Sequence, residues 1–226
     1  MILKVEGLVK SFGNFEVIHH WNLTVEEGEK VVLLGPSGCG KTTFLRIIAG
    51  LEKPTEGKID IGFERLGFVF QEPRLIPWKT VRDNLRLIEE DEGKIKTILE
   101  LVKLNGFEDH FPSQISGGMK QRLNLARAMV VEPDFMILDE PFTSLDIKVK
   151  MEIMEDLMEI WEKRRFTMLM VTHDVKEAVY MGDRILILSK IPSKILREIR
   201  INFIRRDITN RDFLGMESRI LRFMLE

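Results

Sequence analysis

Two kinds of apolar pattern divide this chain. Lys30–Leu34, Phe135–Leu138, Met168–Thr172 and Arg184–Leu188 are apolar on nearly every position and rich in branched or long side chains. Strands covered on both faces have that character, so these four are predicted to be buried strands of a parallel sheet. A shorter run, Gly67–Phe70, is a fifth strand. Leu3–Val9 and Val17–Val25 alternate apolar with polar residues instead, which predicts an antiparallel layer. Helical spacing covers Thr42–Ala49, Lys94–Leu104, Gly117–Val130, Val149–Lys163 and Lys176–Met181. Within the fourth of these, Met151, Met154, Leu157, Met158 and Trp161 fall on one stripe, the pattern of a core face.

Residues Glu72–Pro133 contain no convincing strand and are predicted to form a helical insert between two parts of an α/β core. The segment Lys190–Glu226 differs again. Ile195, Ile199, Ile201 and Phe203 predict a last β-hairpin, and Arg211–Leu225 a short amphipathic helix. Nine Lys or Arg stand there against five Asp or Glu, which reads as a solvated basic face packed on the core, the alternative being a contact surface for a partner chain.

At 226 residues the chain has the length of one domain or slightly more, enough to bury a core without staples. Its formal net charge of −2 gives no reason to expect bulk binding to nucleic acid or an anionic membrane. A single cysteine, Cys39, excludes an internal disulfide framework and suits a reducing compartment. No apolar run approaches the ~18 residues of a membrane span, so a soluble intracellular protein is expected.

The chemistry begins at Gly35-Pro36-Ser37-Gly38-Cys39-Gly40-Lys41-Thr42, which has the spacing G-x-x-x-x-G-K-[ST] between a predicted strand and a predicted helix. Glycines let successive backbone N–H groups turn toward one anion, and the helix N-terminus adds partial positive charge. Lys41 is expected to reach the β- and γ-phosphates of a nucleotide, and the Thr42 hydroxyl to ligate Mg²⁺. Lys41 is expected at the surface of the nucleotide-free protein, and the Cys39 thiol partly exposed near the helix N-terminus. A second element is the run Phe135–Leu138 ending in Asp139 and Glu140. Asp139 at a strand's C-terminal end is placed to hold Mg²⁺, and Glu140 to polarise a water aimed at the γ-phosphate.

Ile115-Ser116-Gly117-Gly118-Met119-Lys120-Gln121-Arg122 is the third element. Ser116 is a good N-cap and the paired glycines leave the backbone bare, so a second anion site without its own lysine is expected. Together with the phosphate loop and Asp139-Glu140, this run resembles the signature of the ATP-binding cassette (ABC) proteins. The resemblance covers about residues 1–190, leaving 191–226 as a short β/helical tail. It implies an α/β P-loop NTPase core with an antiparallel β subdomain and a helical subdomain at about 72–133.

That resemblance also carries roles. Gln71 is similar to the glutamine that senses Mg²⁺ and the attacking water. His173 resembles the histidine that contacts the γ-phosphate, and Phe12 takes the place of the aromatic that stacks on adenine, usually Tyr. Ser144-Leu145-Asp146 resembles the loop that crosses a dimer interface. Nucleotide contacts are implied at Gly35, Pro36, Ser37, Gly38, Cys39, Gly40, Lys41, Thr42, Thr43, Ser116, Gly117, Gly118 and Met119, and metal contacts at Thr42, Gln71 and Asp139.

Gln71-Glu72-Pro73-Arg74-Leu75-Ile76-Pro77-Trp78 narrows the resemblance to ATP-binding subunits of nitrate, sulfonate, taurine and thiamine-precursor importers. An ATPase that pairs head to tail around two MgATP is implied. It would sit on the inner face of the cell membrane and drive a permease through the Gln71–Asp83 region, serving a solute-binding protein indirectly. The alternative for Trp78 is local packing. Thr80 with Asp83 is expected to start a helix through Leu87. ABC ATPases acting on nucleic acid or ribosomes carry long coiled coils or two cassettes, neither of which is present, so no nucleic acid partner is expected. Intact Glu140 and His173 argue against a non-hydrolysing regulator.

Overall fold

A computed structural model describes residues 1–203 and 206–225; Ile204, Arg205 and Glu226 of the predicted tail lie outside the described residues. The chain opens with β1 (Leu3–Phe12), β2 (Phe15–Val25), β3 (Lys30–Leu34), α1 (Lys41–Ile48), β4 (Glu56–Ile61) and β5 (Leu66–Val69). Then come α2 (Val81–Arg86), α3 (Glu92–Leu101), α4 (Gly117–Met129), β6 (Phe135–Asp139) and α5 (Ile147–Arg164). The rest is β7 (Thr167–Thr172), α6 (Val175–Met181), β8 (Arg184–Leu188), β9 (Ile195–Arg200) and α7 (Arg211–Leu225). Two compact units result, Met1–Phe63 with Thr167–Glu226, and Glu64–Phe166.

The first unit holds the predicted antiparallel layer, with β1 between β2 and β4. It also holds β3 between β7 and β8, parallel to both, with Val32 beside Met170 on one side and Ile185 on the other. Every residue of β3, β7 and β8 is buried, as the unbroken apolar runs require. Lys30 opens β3 inside this core, and its Nζ lies 2.9 Å from Asp183 Oδ2, which offsets the cost of burying the charge.

The tail's strand is shorter than predicted. Only Ile195–Arg200 is extended in a ladder, and its partner is β8 rather than a second tail strand. Ile201 and Phe203 follow the strand instead of forming a hairpin arm. The helix runs over Arg211–Leu225 and buries Phe213 and Ile220. Arg206 donates to the carbonyls of Tyr180 and Gly182 and pairs with Asp183, so the tail is packed on this unit's core.

In the second unit β5 and β6 are parallel, with Phe68 beside Ile137. Helix α4 crosses β5 so closely that a Cβ on Gly67 would lie 2.5 Å from Ala128 O, which explains the glycine in an otherwise apolar strand. Asp156 of α5 accepts from Lys103 Nζ at 2.6 Å and Arg122 Nη1 at 2.5 Å, and Arg122 also donates to Val102 O. One carboxylate thereby ties α5 to α4 and to the end of α3. The stretch Glu72–Pro133 holds helices and no strand, as its periodicity predicts.

Helix α2 starts where the capping signal places it: Thr80 Oγ1 accepts from Asp83 N at 3.1 Å. Inside that helix Asn84 is fully buried. Its Oδ1 accepts from Ile76 N at 2.9 Å, and its Nδ2 donates to the carbonyls of Ile76, Lys79 and Thr80 at 3.2, 3.0 and 2.9 Å. The proline-bearing loop ahead of α2 is therefore shaped by one amide side chain. Asn84→Ala strands these backbone groups in a dry site and is expected to destabilise the protein by about 2–4 kcal/mol. Chemical denaturation checks this; a loss below about 0.5 kcal/mol would mean that water replaces the amide.

Candidate functional site

The phosphate loop leaves the end of β3 and is built wholly inside the first unit. Leu34 pairs with Thr172, and Gly35 N donates to Thr172 O at 3.3 Å, so the loop and His173 leave neighbouring parallel strands at the same end. Gly40 has φ 97°, and a Cβ there would lie 2.7 Å from Val17 Cγ1. Only glycine satisfies both the angle and the space. Ser37 and Gly38 are exposed, and Thr42 and Thr43 half-buried. Helix α1 carries no acidic residue in its first turn, so nothing in that turn opposes an anion at its N-terminus.

Two expectations are corrected here. Lys41 is only 4% exposed: its Nζ donates to Gly35 O at 2.8 Å and Pro36 O at 2.9 Å. The loop's own carbonyls solvate the ammonium and draw the side chain inward, where a free surface lysine was expected. Cys39, expected partly exposed, is 2% exposed, with Sγ directed at Gly35 beneath the loop. Its thiol is closed to solvent, so its place in the motif does not make it a reactive group.

His173 is exposed at the end of β7. The residue before it is firmly held: Thr172 Oγ1 donates to Glu177 Oε2 at 2.6 Å and accepts from Asp174 N at 3.0 Å. Asp174 then caps α6 by accepting from Lys176 N at 2.8 Å. Phe12 ends β1 at the tip of its hairpin with β2, half-exposed, facing Phe15 across the turn.

The second unit presents its own cluster. Val69 pairs with Leu138, so Gln71 and the Asp139-Glu140 pair follow adjacent parallel strands at one end. Asp139 is buried and Gln71 exposed. Glu140 has φ 42°, a left-handed conformation unfavourable for a glutamate, and Thr143 Oγ1 donates to its Oε2 at 3.4 Å. That turn aims Glu140 away from the direction the strand gives Asp139. A buried and a half-buried carboxylate on consecutive residues suit a cation ligand beside a group that orients water.

Ser116 caps α4, its Oγ accepting from Met119 N at 3.3 Å. The two glycines that follow do different work. A Cβ on Gly118 would lie 2.5 Å from Val149 Cγ1 of α5, whereas one on Gly117 would meet nothing within 4 Å. Gly118 permits helix packing and Gly117 leaves an exposed, open N-terminus. Ser144 stands at φ 71°, and Asp146 caps α5 by accepting from Val149 N at 3.0 Å.

Two residues near this cluster carry no motif signal. Asn124 Nδ2 donates to Phe70 O at 2.7 Å and Arg127 Nη1 to Arg74 O at 2.9 Å, so α4 holds both sides of Gln71. Buried Asn within a helix is the trace that could have flagged Asn124. Thr42 in the first unit, and Gln71 and Asp139 in the second, each carry a hard oxygen donor of the kind Mg²⁺ takes.

Residues 18–143 match the family model described as ABC transporter. The chain is 41% identical to the aliphatic sulfonates import ATP-binding protein SsuB of Bacillus cereus, over 98% of this chain and 95% of that protein. It is 38% identical to the SsuB protein of Bacillus subtilis, over 97% and 91% of the two chains. An uncharacterized ABC transporter ATP-binding protein of Methanocaldococcus jannaschii is 41% identical over 98% of this chain and 91% of its own. Among solved structures, a dimeric ATP-binding cassette in a post-hydrolysis state with ADP and Pi superposes with a TM-score of 0.79 at 32% identity, covering 90% of this chain and all of that one.

Because Lys41 is a buried amine bound by two loop carbonyls, its removal should touch stability as well as binding. Lys41→Ala is expected to weaken ATP binding at least tenfold and to lower the thermal midpoint by about 3–8 °C. Nucleotide titration and thermal denaturation check the two effects; weakened binding at an unchanged midpoint would mean that the carbonyls lose nothing with the amine.

Proposed function

The chain belongs to the ABC transporter ATP-binding family, and from that membership we propose that it is the ATPase subunit of an importer of the nitrate, sulfonate and taurine type. Two copies pair head to tail around two ATP molecules. Each nucleotide lies between the phosphate loop of one copy and Ser116–Met119 of the other. The observation that carries this reading is the exposed N-terminus of α4: it has open space at Gly117, no acid in its first turn and no phosphate-loop lysine of its own. Such a terminus suits a γ-phosphate already held elsewhere.

Within that pairing each residue has a defined task. Phe12 stacks on adenine. Backbone N–H groups of Gly35–Thr43 and the Lys41 ammonium bind the β- and γ-phosphates, the lysine exchanging its loop carbonyls for phosphate oxygens. Thr42, Gln71 and Asp139 would hold Mg²⁺, which would offset the charge of those phosphates. Glu140 accepts a proton from the attacking water as its oxygen bonds to the γ-phosphorus and the bond to the β-phosphate oxygen breaks. His173 and Gln71 orient the γ-phosphate and the water. ADP and phosphate then lack the bridge between the copies, and the pair reopens.

The permease contact is assigned to the Gln71–Asp83 region. Trp78 is 75% exposed, which supports a contact surface over a locally packed ring. Asn84 and Arg127 fix the loop on either side of it, so a permease would meet a preformed surface. The chain works on the inner face of the membrane. Among the described residues no helix is long and apolar enough to cross it. A solute-binding protein acts through the permease alone.

Glu140→Gln tests the chemistry. It keeps side-chain size and Asp139, so ATP binding should survive while hydrolysis falls about 10²-fold or more. With ATP the variant should elute as a dimer in size exclusion, and adding Ser116→Glu should return it to monomer. A variant that binds ATP yet stays monomeric at high concentration removes the paired-site reading. Trp78→Ala tests the docking surface: basal ATPase of the isolated subunit should stay within about threefold, while solute uptake by the assembled transporter is lost. Undiminished uptake would move the permease contact elsewhere.

A further inference from the structure

Lys10 is not an ordinary strand lysine. It is 7% exposed, and its Nζ donates to Glu52 Oε1 at 2.8 Å and to Lys53 O at 2.9 Å. The same ammonium lies 4.5 Å from the centroid of the Phe12 ring, well inside cation–π range. Phe12 itself is 49% exposed at the end of a hairpin, where a phenyl ring without a neighbour would sample several rotamers.

We propose that Lys10 is a positioning residue for nucleotide binding: its anchored ammonium covers one face of Phe12 and presents the other face to the purine base. The inference rests on the assignment of Phe12 to base stacking. Its physical content is twofold. Fixing the ring before the nucleotide arrives removes an ordering cost from binding. A cation beneath the ring also draws π density toward itself, which suits the open face to an electron-rich purine.

The anchor has a further consequence. Glu52 and Lys53 stand just past α1, the helix that begins at Lys41, and Glu52 N donates to Arg46 O of that helix. Thr55 in the same turn ties back to β1, accepting from Ser11 N at 2.9 Å and donating its own N–H to Val9 O at 2.8 Å. One helix therefore starts at the triphosphate loop and ends at the turn that holds the ring's cation, which sets the distance between the base and phosphate contacts. The hydrogen bond from Lys10 is the main cause of a Glu52 carboxyl held below the usual carboxylate range.

A double-mutant cycle on the full chain tests the proposal, with ATP and with inorganic tripolyphosphate, which has no base, as probes. Lys10→Met keeps the stem and removes the charge, leaving Glu52 at a site open enough to hydrate. It should weaken ATP about tenfold and tripolyphosphate less than twofold. Lys10→Arg, which keeps a cation over the ring, should stay within about threefold of the parent protein for ATP. In a Phe12→Leu background, Lys10→Met should cost nothing further.

Equal weakening of both probes, or a full additional loss in the Phe12→Leu background, would overturn the proposal, since Lys10 would then act on the phosphates or the fold. Phe12→Leu alone binding ATP like the parent is a different failure: it removes the stacking assignment, and the proposal with it. Should Lys10→Met not fold, Glu52→Gln loosens the anchor instead. It is expected to weaken ATP a few-fold with Phe12 present and not with Leu there, and an unchanged affinity counts against the inference.

Discussion

At Gly40 the backbone turns through a φ of 97°, and the space where a Cβ would stand is occupied by Val17 of β2. The end of the phosphate loop, the start of α1 and the direction of Lys41 all follow from that turn. Any other residue would have to open β2 away from the loop and unwind the first turn of the helix. β2 is held in turn by Trp21, which hydrogen-bonds Ser193 O and rests against Phe44 of α1. The antiparallel layer is thus the wall against which the loop is folded. Lys41 lies folded onto the same loop, its charge satisfied by two carbonyls until an anion competes for it.

Parallel pairing supplies the rest of the placement. Because Leu34 is level with Thr172, and Val69 with Leu138, each unit delivers its functional residues at the carboxyl ends of adjacent strands. Strands buried on both faces move little, so the residues just past them inherit that rigidity. Strain appears just past the end of β6. Glu140 and Ser144 adopt left-handed backbone angles on either side of a turn whose Phe142 is fully buried. That buried ring holds the turn against the local preference of both residues.

The helical insert follows a different logic. Its loop before α2 is held by polar side chains, Asn84 from one side and Arg127 from the other, rather than by apolar packing. This arrangement leaves Trp78 free of the core while giving it a defined platform. Asn124 pins the residue before Gln71 from the same helix that begins at Ser116, so Gln71 and the glycine-rich helix start are mechanically one piece of the second unit. In the first unit, α1 and the Glu52 turn connect the phosphate loop to Lys10 in a comparable way.

What the chain determines locally could be read without a structure. Unbroken apolar runs located β3, β6, β7 and β8 to within a residue, because burial on both faces leaves no polar positions. Thr80 and Ser116 marked helix starts, since a cap bonds to amides within three residues of itself. The glycines and Lys41 of the phosphate loop are legible for the same reason: a tight turn around an anion demands them wherever it occurs. Other features depend on what lies across the fold. Gly35 is closed in by Leu188 of β8 and Gly40 by Val17 of β2. The need for Gly118 comes from Val149 on another helix, the partner of β9 is β8, and the cation beneath Phe12 is anchored 42 residues away at Glu52. A periodic pattern reports which side of an element faces inward; it carries no record of which neighbour will be met there, and that choice belongs to the tertiary structure.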